Sequence, residues 1–205
     1  MKHTSIDHRS SILKRLWISL FVAVFALSSA GCGYNEVVER DEDVKAAWAE
    51  VQNQYKRRAD LVPNLVKVVK GAAQFEQDTL TKVVEARSKV ASMKVDASTI
   101  DDPAKLKAFE QAQGELGGAL SRLLVVAERY PELKATDAFR DLQAQLEGTE
   151  NRIAVARKRY IDDVAEYNKV VARFPTSIGA GMRGMKSRPT FEGTPGLEKP
   201  PEVNL

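Results

Sequence analysis

Apolar residues recur at steps of three and four over most of this chain, and this spacing constrains the possible folds more than any other feature. The longest series lies on one helix face and comprises Phe139, Leu142, Leu146, Thr149, Ile153, Ala156, Tyr160, Val164, Tyr167, Val171 and Phe174. A mean step of ~3.5 residues is typical of long helices that wind around one another, whereas a strand alternates every second residue. The pattern therefore predicts an all-α fold.

Earlier parts of the chain carry stripes with the same spacing. The first stripe comprises Tyr34, Val37, Asp41, Val44, Trp48, Val51 and Tyr55. The second comprises Leu61, Leu65, Val68, Ala72, Phe75, Thr79, Val83, Ala86, Val90 and Met93. The third comprises Leu106, Phe109, Gln113, Leu116, Leu120, Leu123, Ala127 and Tyr130. Together with the series at 139–174, these stripes predict four helices that bury their apolar faces against one another.

The stretch RRADLVPNLV at residues 57–66 places Pro63 between the first and second stripes. A proline deep inside a helix costs ~3 kcal/mol, because it lacks an N–H and clashes with the preceding turn, but it costs little in the first turn. Asp60 is a suitable N-cap residue three positions earlier. We therefore expect one helix to end near Arg58 and the next to begin near Leu61. The alternative is that the first and second helices form one kinked rod through Pro63.

Similar signals mark the starts of the last two helices. Asp102 can cap the third helix with Pro103 at its first position, and Thr136 and Asp137 open the fourth. Short connections favour antiparallel neighbours. The sequence thus predicts an elongated antiparallel four-helix bundle with up-down-up-down topology. At a rise of 1.5 Å per residue, its helices would span roughly 35 to 58 Å.

The N-terminal segment resembles an export signal. Four basic residues in 1–15 precede the charge-free run LWISLFVAVFAL at 16–27, and the small residues SSAG follow. These are the n-region, h-region and cleavage region of a secretory signal. We therefore predict a signal peptide or membrane anchor at 1–31, a bundle domain at 32–174 and an irregular tail at 175–205.

Cys32, the single cysteine, directly follows the predicted cleavage region. A lone thiol is unusual in an exported protein, and SAGC resembles the bacterial lipobox, in which the cysteine is lipidated. Ser29 departs from the leucine that the lipobox prefers. We expect a lipoprotein acylated at Cys32. The alternatives are an uncleaved membrane span over 16–34, which just meets the required length of ~18 to 20 residues, and ordinary cleavage after Ala30.

The charge of the mature chain excludes one class of partner. Residues 1–31 carry four of the 31 basic residues and one of the 28 acidic residues, so the remainder is neutral. A neutral chain without a clustered basic face lacks the electrostatic footprint of a nucleic-acid-binding protein. We therefore expect no nucleic-acid partner.

The mature chain lacks the side chains on which much of enzyme chemistry depends. Both histidines, His3 and His8, lie in the predicted signal. Nucleophilic triads, zinc sites and the Glu-x-x-His pairs of di-iron bundles are therefore excluded. The acidic residues of the last helix, such as Asp162 and Glu166, alternate with basic residues as on a salt-bridged solvent face. We predict no catalytic residue, metal site or cofactor.

Three glycines, Gly114, Gly117 and Gly118, lie within the third predicted helix. Each costs about 0.5 to 1 kcal/mol relative to alanine in a helix interior. Close approach of a neighbouring helix across this strip would offset the cost. The alternative is a weak point that lets the helix open for a partner.

The last segment, residues 175–205, is rich in proline and glycine and has no helical periodicity. In the predicted topology it begins at the same end of the bundle as Cys32. Arg183, Lys186 and Arg188 are therefore candidates for contact with anionic lipid, at about 1 kcal/mol per charge. The alternative is an ordinary solvated tail that lies on the bundle or is loose.

Several motifs resemble, in order and spacing, those of the LemA family of bacterial envelope proteins. They are YNEVV, AWAEVQNQYKRRADLVPNLVKVVKG, VVEAR, LVVAERYPELKA, LEGTENRIAVARKRY and EYNKVVARFP, between residues 34 and 178. The resemblance implies an antiparallel helical bundle that is attached to a membrane at its N-terminus and faces the extracytoplasmic side. It implies no established catalytic activity. Phe75, where relatives often have histidine, and Ile161, where they often have asparagine, depart from the family pattern.

The signature residues suggest a docking face for a protein partner. We expect the turn at 57–64 and the connection at 130–137 to lie together at the membrane-distal end of the bundle. The candidate contacts are Arg57, Arg58, Asp60, Asn64, Glu132 and Lys134. The alternative is that these residues only pair with one another and satisfy helix ends.

The leading functional interpretation is a non-catalytic, membrane-anchored scaffold or adaptor of the cell envelope that binds an envelope or membrane protein. The alternative is a lipid-interacting or membrane-shaping helical protein. An enzyme is the least favoured class, because it would require clustered acids in a concave pocket that the periodicity does not predict.

Overall fold

The computed structural model describes residues 6–72 and 75–191, and this part of the chain contains helices and no strand. The helices are α1 (Ile6–Lys70), α2 (Gln77–Ser92), α3 (Pro103–Ala127), α4 (Pro131–Lys134), α5 (Asp137–Ala172) and α6 (Thr176–Met182), with a short 3-10 helix at Ala97–Ile100. The prediction of an all-α fold is confirmed. The chain divides into two compact units. Among the described residues, unit one comprises 6–42 and 166–187, and unit two comprises 43–72, 75–165 and 188–191.

Pro63 lies inside α1, so the predicted helix boundary between Arg58 and Leu61 is wrong. Asp60 is not an N-cap: its carboxylate pairs with Lys56 at 3.1 Å, one helical turn earlier. One helix does pass through residue 63, as in the alternative, but it ends at Lys70, and the rest of the predicted second helix is the separate α2.

A contact from α2 explains why the helix tolerates this proline. Pro63 has no N–H for the carbonyl of Ala59, four residues earlier. Arg87 of α2 donates a hydrogen bond from its Nε to that carbonyl oxygen at 3.3 Å. The acceptor therefore keeps a partner, and the helix continues to Lys70.

The first helix ends later than the sequence predicted, at Lys70. Gly71 N donates to the Val68 carbonyl oxygen at 3.1 Å, which closes the last turn. Lys67 and Lys70 place positive charge at the negative end of the helix dipole. The predicted second stripe is consequently divided between the end of α1 and the whole of α2.

The predicted starts of the later helices are confirmed. The Asp102 carboxylate accepts from the backbone N–H groups of Ala104 at 2.9 Å and Lys105 at 3.4 Å, and Pro103 occupies the first turn of α3. Thr136 Oγ1 accepts from Phe139 N at 3.3 Å at the start of α5. Each cap satisfies an N–H that has no partner within its own helix.

The core of unit two combines side chains from α1 to α5. Its apolar cluster comprises Leu61, Val62, Leu65, Val66, Val69, Phe75, Leu80, Val83, Leu116, Leu120, Leu123, Val126, Ala127, Leu133, Phe139, Leu142 and Leu146. The stripes therefore predicted most of the buried positions. Phe174 is an exception in unit one, because it is 76% exposed.

An aromatic cluster forms the other part of this core. The ring centroids of Trp48 and Phe109 are 5.1 Å apart, and those of Tyr55 and Phe109 are 5.2 Å apart. Phe191 packs against Tyr160 at 5.1 Å and is itself buried. The end of the described chain is thus held against unit two rather than loose.

The segment predicted to be irregular from residue 175 contains the short helix α6, which corrects that prediction. Thr176 Oγ1 lies 2.5 Å from the Val170 carbonyl oxygen, and Ala180 is buried. Within the same unit, Arg173 of the chain leading to α6 pairs with Glu36 of α1 at 2.8 Å. These contacts stabilise a helix that the proline and glycine content obscured.

Within residues 6–72 and 75–191, no helix combines the length and the apolar character that a membrane crossing requires.

Cys32 lies within α1. Its acylation, the signal at 1–31 and the domain boundaries at 32–174 and 175–205 stay predictions. The last fourteen positions of the predicted tail, 192–205, lie outside the described residues.

Candidate functional site

A groove of about 920 Å³ opens on unit two between α1, α3 and α5. We call it the glycine groove, because Gly114, Gly117 and Gly118 of α3 line it. Arg58 lies at its floor, and apolar residues such as Leu124 form part of its walls.

Arg58 is almost fully buried, with 3% of the residue exposed. Its Nη1 donates to Glu150 Oε1 at 2.8 Å, and its Nη2 donates to the Gln113 carbonyl oxygen at 2.7 Å and to Gln113 Oε1 at 2.8 Å. The guanidinium also lies 5.0 Å from the centre of the Tyr55 ring. A buried charge requires such a set of partners, because removing it from water is costly.

One donor of this guanidinium is left over. Arg58 Nε is buried and has no hydrogen-bond partner among the described residues. A buried donor without a partner costs about 1 to 3 kcal/mol. The unmet donor is therefore part of the cost of burying this guanidinium.

The three glycines line the groove for different reasons. A Cβ at Gly117 would lie 3.2 Å from Arg58 Nη1, so this glycine makes room for the guanidinium. At Gly114 and Gly118, a Cβ would meet nothing within 4 Å. The close approach that the sequence suggested is thus made by an arginine side chain at one glycine, and the other two face open space.

Arg157 of α5 forms a second charged contact in the groove. Its Nη2 donates to Glu110 Oε1 at 3.1 Å, and its Nη1 donates to the Tyr55 hydroxyl oxygen at 3.3 Å. The guanidinium also lies 4.4 Å from the centre of the Phe191 ring. This arginine joins α1, α3, α5 and the end of the described chain.

The groove has a lining of charged, polar and apolar side chains. Its lining residues include no histidine and no cysteine, and Glu110 and Glu150 are each paired with an arginine. Within 6–72 and 75–191, no three His, Cys, Asp or Glu side chains are grouped for a metal ion.

The predicted partner-binding residues differ in exposure, with Arg58 buried and the others at the surface. Arg57, Asp60 and Asn64 are exposed on α1, and Glu132 and Lys134 are exposed on α4. Arg58 is instead the buried floor of the glycine groove, a role that its neighbours in sequence did not indicate.

The predicted pairing of two turns is also corrected, because residues 57–64 are helical. Phe75 and Glu76, which precede α2, lie beside the α3–α5 connection. Phe75 and Tyr130 stack with ring centroids 5.0 Å apart, and Glu76 pairs with Arg129 at 2.6 Å. Hydrogen bonds from Thr79 and then Arg129 hold the pKa of the Glu76 carboxyl below its ordinary value.

The predicted membrane-contact residues fall in both units. Arg183 and Lys186 are exposed in unit one. Arg188 belongs to unit two, where its side chain is 9% exposed and its Nε donates to Asp101 Oδ1 at 2.9 Å. Its guanidinium is therefore held against the protein rather than displayed to solvent.

Comparison with known proteins finds one matching family and several similar proteins. The model of the LemA family matches residues 47–205, which include every residue of the groove named above. Magnetosome protein MamQ 2 of Paramagnetospirillum magneticum is 26% identical over 209 residues, which cover 94% of this chain and 75% of that protein. MamQ of Magnetospirillum gryphiswaldense is 26% identical over 208 residues, with coverage of 94% and 76%. Protein LemA of Metamycoplasma hominis is 27% identical over 124 residues, with coverage of 60% and 52%.

Proposed function

Since the chain belongs to the LemA family, we propose that it is a non-catalytic scaffold of the bacterial cell envelope that presents a helical bundle to protein partners. It is attached to a membrane through its N-terminal segment, by acylation at Cys32, and faces the extracytoplasmic side. The signal-like pattern of residues 1–31 and the lipobox-like SAGC sequence support this attachment.

Unit two forms the bundle, with α1, α2, α3 and α5 running up, down, up and down. The order of side-chain contacts supports this topology. The contacts between α1 and α5 pair Tyr55 with Arg157 and Arg58 with Glu150. Lys89 of α2 pairs with Glu115 of α3, and Glu76, just before α2, pairs with Arg129, just after α3. In both sets, residue numbers rise on one helix as they fall on the other, as antiparallel neighbours require.

The observation that carries the scaffold function is the state of Gly114 and Gly118. Each reduces helix stability by about 0.5 to 1 kcal/mol relative to alanine. Neither is needed for packing, because a Cβ at either position meets nothing within 4 Å. A partner helix that lies in the glycine groove explains why both positions are glycine, since small residues let two backbones approach closely.

Filling the groove tests this proposal. We expect G114L/G118L to keep the fold, because the new side chains point into open space, and to block entry of the partner. Ser121 lines the groove and is exposed, so a photo-reactive amino acid at this position can crosslink a partner that lies in the groove. The crosslinked adducts are measured in intact cells, where the protein keeps its native anchor.

Gly148 supplies the matched control, because it is a helical glycine of α5 with nothing within 4 Å of a Cβ and does not line the groove. G148L makes the same chemical change outside the groove and should leave the adducts intact. Unchanged adducts in G114L/G118L, with the fold preserved by circular dichroism, would rule out the groove as the docking site.

The predicted partner-binding residues that are exposed serve as additional partner contacts at the protein surface. They are Arg57, Asp60, Asn64, Glu132 and Lys134. Charge reversal in R57E should weaken adduct formation without loss of stability, since Arg57 is exposed on α1. If R57E gives wild-type adducts, the docking surface is confined to the groove.

A further inference from the structure

An exposed apolar face occurs on and just before α6. Ile178 is 58% exposed and Met182 is 86% exposed, and their spacing of four residues places them on the same side of the helix. Phe174, which precedes the helix, is 76% exposed. Exposed side chains of this size that cluster on one short element are typical of an interaction surface.

The opposite face of α6 is fixed within unit one. Thr176 and Ala180 are buried, and Thr176 Oγ1 lies 2.5 Å from the carbonyl oxygens of Val170 and Arg173. The Tyr167 hydroxyl donates to the carbonyl oxygen of Lys186 at 3.2 Å, which holds the chain after the helix. The apolar face is thus presented by a folded element, not by a loose tail.

The charged residues of this segment are all basic, and one of them, Arg173, is paired with Glu36 of α1. Residues 173–187 contain Arg173, Arg183 and Lys186 and no acidic residue. Arg183 and Lys186 are exposed and lie one and four residues after Met182. A short apolar face with basic residues beside it has the composition of elements that lie in the interface of an anionic membrane.

We propose that Phe174, Ile178 and Met182 enter the interfacial region of a bilayer while Arg183 and Lys186 contact anionic phospholipid headgroups. This second membrane contact rests on the proposed attachment to a membrane, and unit one also contains the N-terminal part of α1, where the predicted anchor lies. The basic charge favours anionic lipid over a neutral apolar protein surface.

The test uses the full chain in lipid nanodiscs, made of phosphatidylcholine alone or mixed with phosphatidylglycerol. Hydroxyl-radical footprinting with mass spectrometry measures how fast the Met182 side chain is oxidised. We expect several-fold slower oxidation in the anionic discs, because the bilayer covers a side chain that is otherwise exposed. Val125 and Val155 are exposed apolar residues of unit two, 70% and 65% accessible, and their labelling should be equal in both discs.

Neutralising Arg183 and Lys186 measures the electrostatic contribution to the membrane contact. R183Q/K186Q should weaken the contact about fivefold per charge and bring Met182 oxidation in anionic discs close to its rate in neutral discs. Equal oxidation of wild-type Met182 in the two lipids overturns the proposal. Protection that instead rises with protein concentration in detergent also overturns it, because it identifies a second copy of the chain as the occupant. Adduct formation at Ser121 in the glycine groove is measured separately, so failure of this contact and failure of the scaffold function are distinguishable.

Discussion

At the scale of single residues, Arg58 is the side chain whose removal should be most damaging. It is buried and bonded to Glu150 and Gln113 at 2.7 to 2.8 Å. R58A leaves these acceptors without their donor and a cavity in place of the side chain, so we expect a loss of about 2 to 5 kcal/mol in the free energy of unfolding. Urea denaturation followed by circular dichroism measures it.

The partner of Arg58 supplies the control for that prediction. The Glu150 side chain is 49% exposed, so solvent screens its charge and E150Q should cost only about 1 kcal/mol. Equal losses in R58A and E150Q would mean that the ion pair, rather than the buried guanidinium with its carbonyl and amide partners, provides the stability.

Residue-level rules predicted the helix caps and missed the burial of Arg58. Asp102 and Thr136 were predictable because a cap depends on residues two or three positions away. The partners of Arg58 are 55 and 92 positions away in sequence. No local pattern distinguishes it from the exposed Arg57 beside it.

At the scale of helices, the pairing of α1 with α2 at Pro63 can be tested by a double-mutant cycle. In the wild type, R87M removes the donor that serves the Ala59 carbonyl, and we expect a loss of about 1 kcal/mol. In P63A, the restored N–H of residue 63 serves that carbonyl, so the same R87M change should cost less. Thermal unfolding of the four proteins gives the coupling energy.

Additive effects of R87M and P63A would contradict this account of the proline. A coupling of about 0.5 kcal/mol or more is expected for residues that share one acceptor. The same contact explains the error in the predicted helix boundary. Propensity rules treat a proline as local, whereas here the arginine that compensates for it lies 28 residues away on another helix.

Glu76, the residue before α2, should make the folding stability of the protein sensitive to acid. Hydrogen bonds from Thr79 and Arg129 lower the pKa of Glu76 from its ordinary value of 4.5. The Glu76 carboxyl is therefore protonated at a higher pH in the unfolded chain than in the folded protein. The stability that Glu76 contributes is complete above about pH 4.5 and is lost as the pH falls through the folded pKa.

Substitution of Glu76 isolates that component. Unfolding curves measured from neutral to acid pH should fall less steeply for E76Q than for the wild type, and the two proteins should converge at the acid end. Matching pH profiles would show that the bridge to Arg129 contributes nothing to folding.

At the scale of the whole molecule, the apolar stripes were the most reliable guide and the glycine groove was the least predictable feature. Burial in a helix depends on a periodic pattern that the sequence displays directly. The groove exists because side chains from three helices leave α3 partly uncovered at Gly114 and Gly118. The sequence revealed the glycines and their cost, but only the packing shows that two of them face open space.

These two glycines predict that the protein is less stable than its own fold allows. G114A/G118A should raise the free energy of unfolding by about 1 to 2 kcal/mol in total, because alanine is the better helix former and its Cβ fits at both positions. For a chain of this size, the melting temperature should rise by roughly 2 to 8 °C. G117A should lower it, since the new Cβ would crowd the Arg58 guanidinium at 3.2 Å. If G114A/G118A is destabilising instead, the glycines serve the fold itself, and the argument that they are retained for a partner in the groove fails.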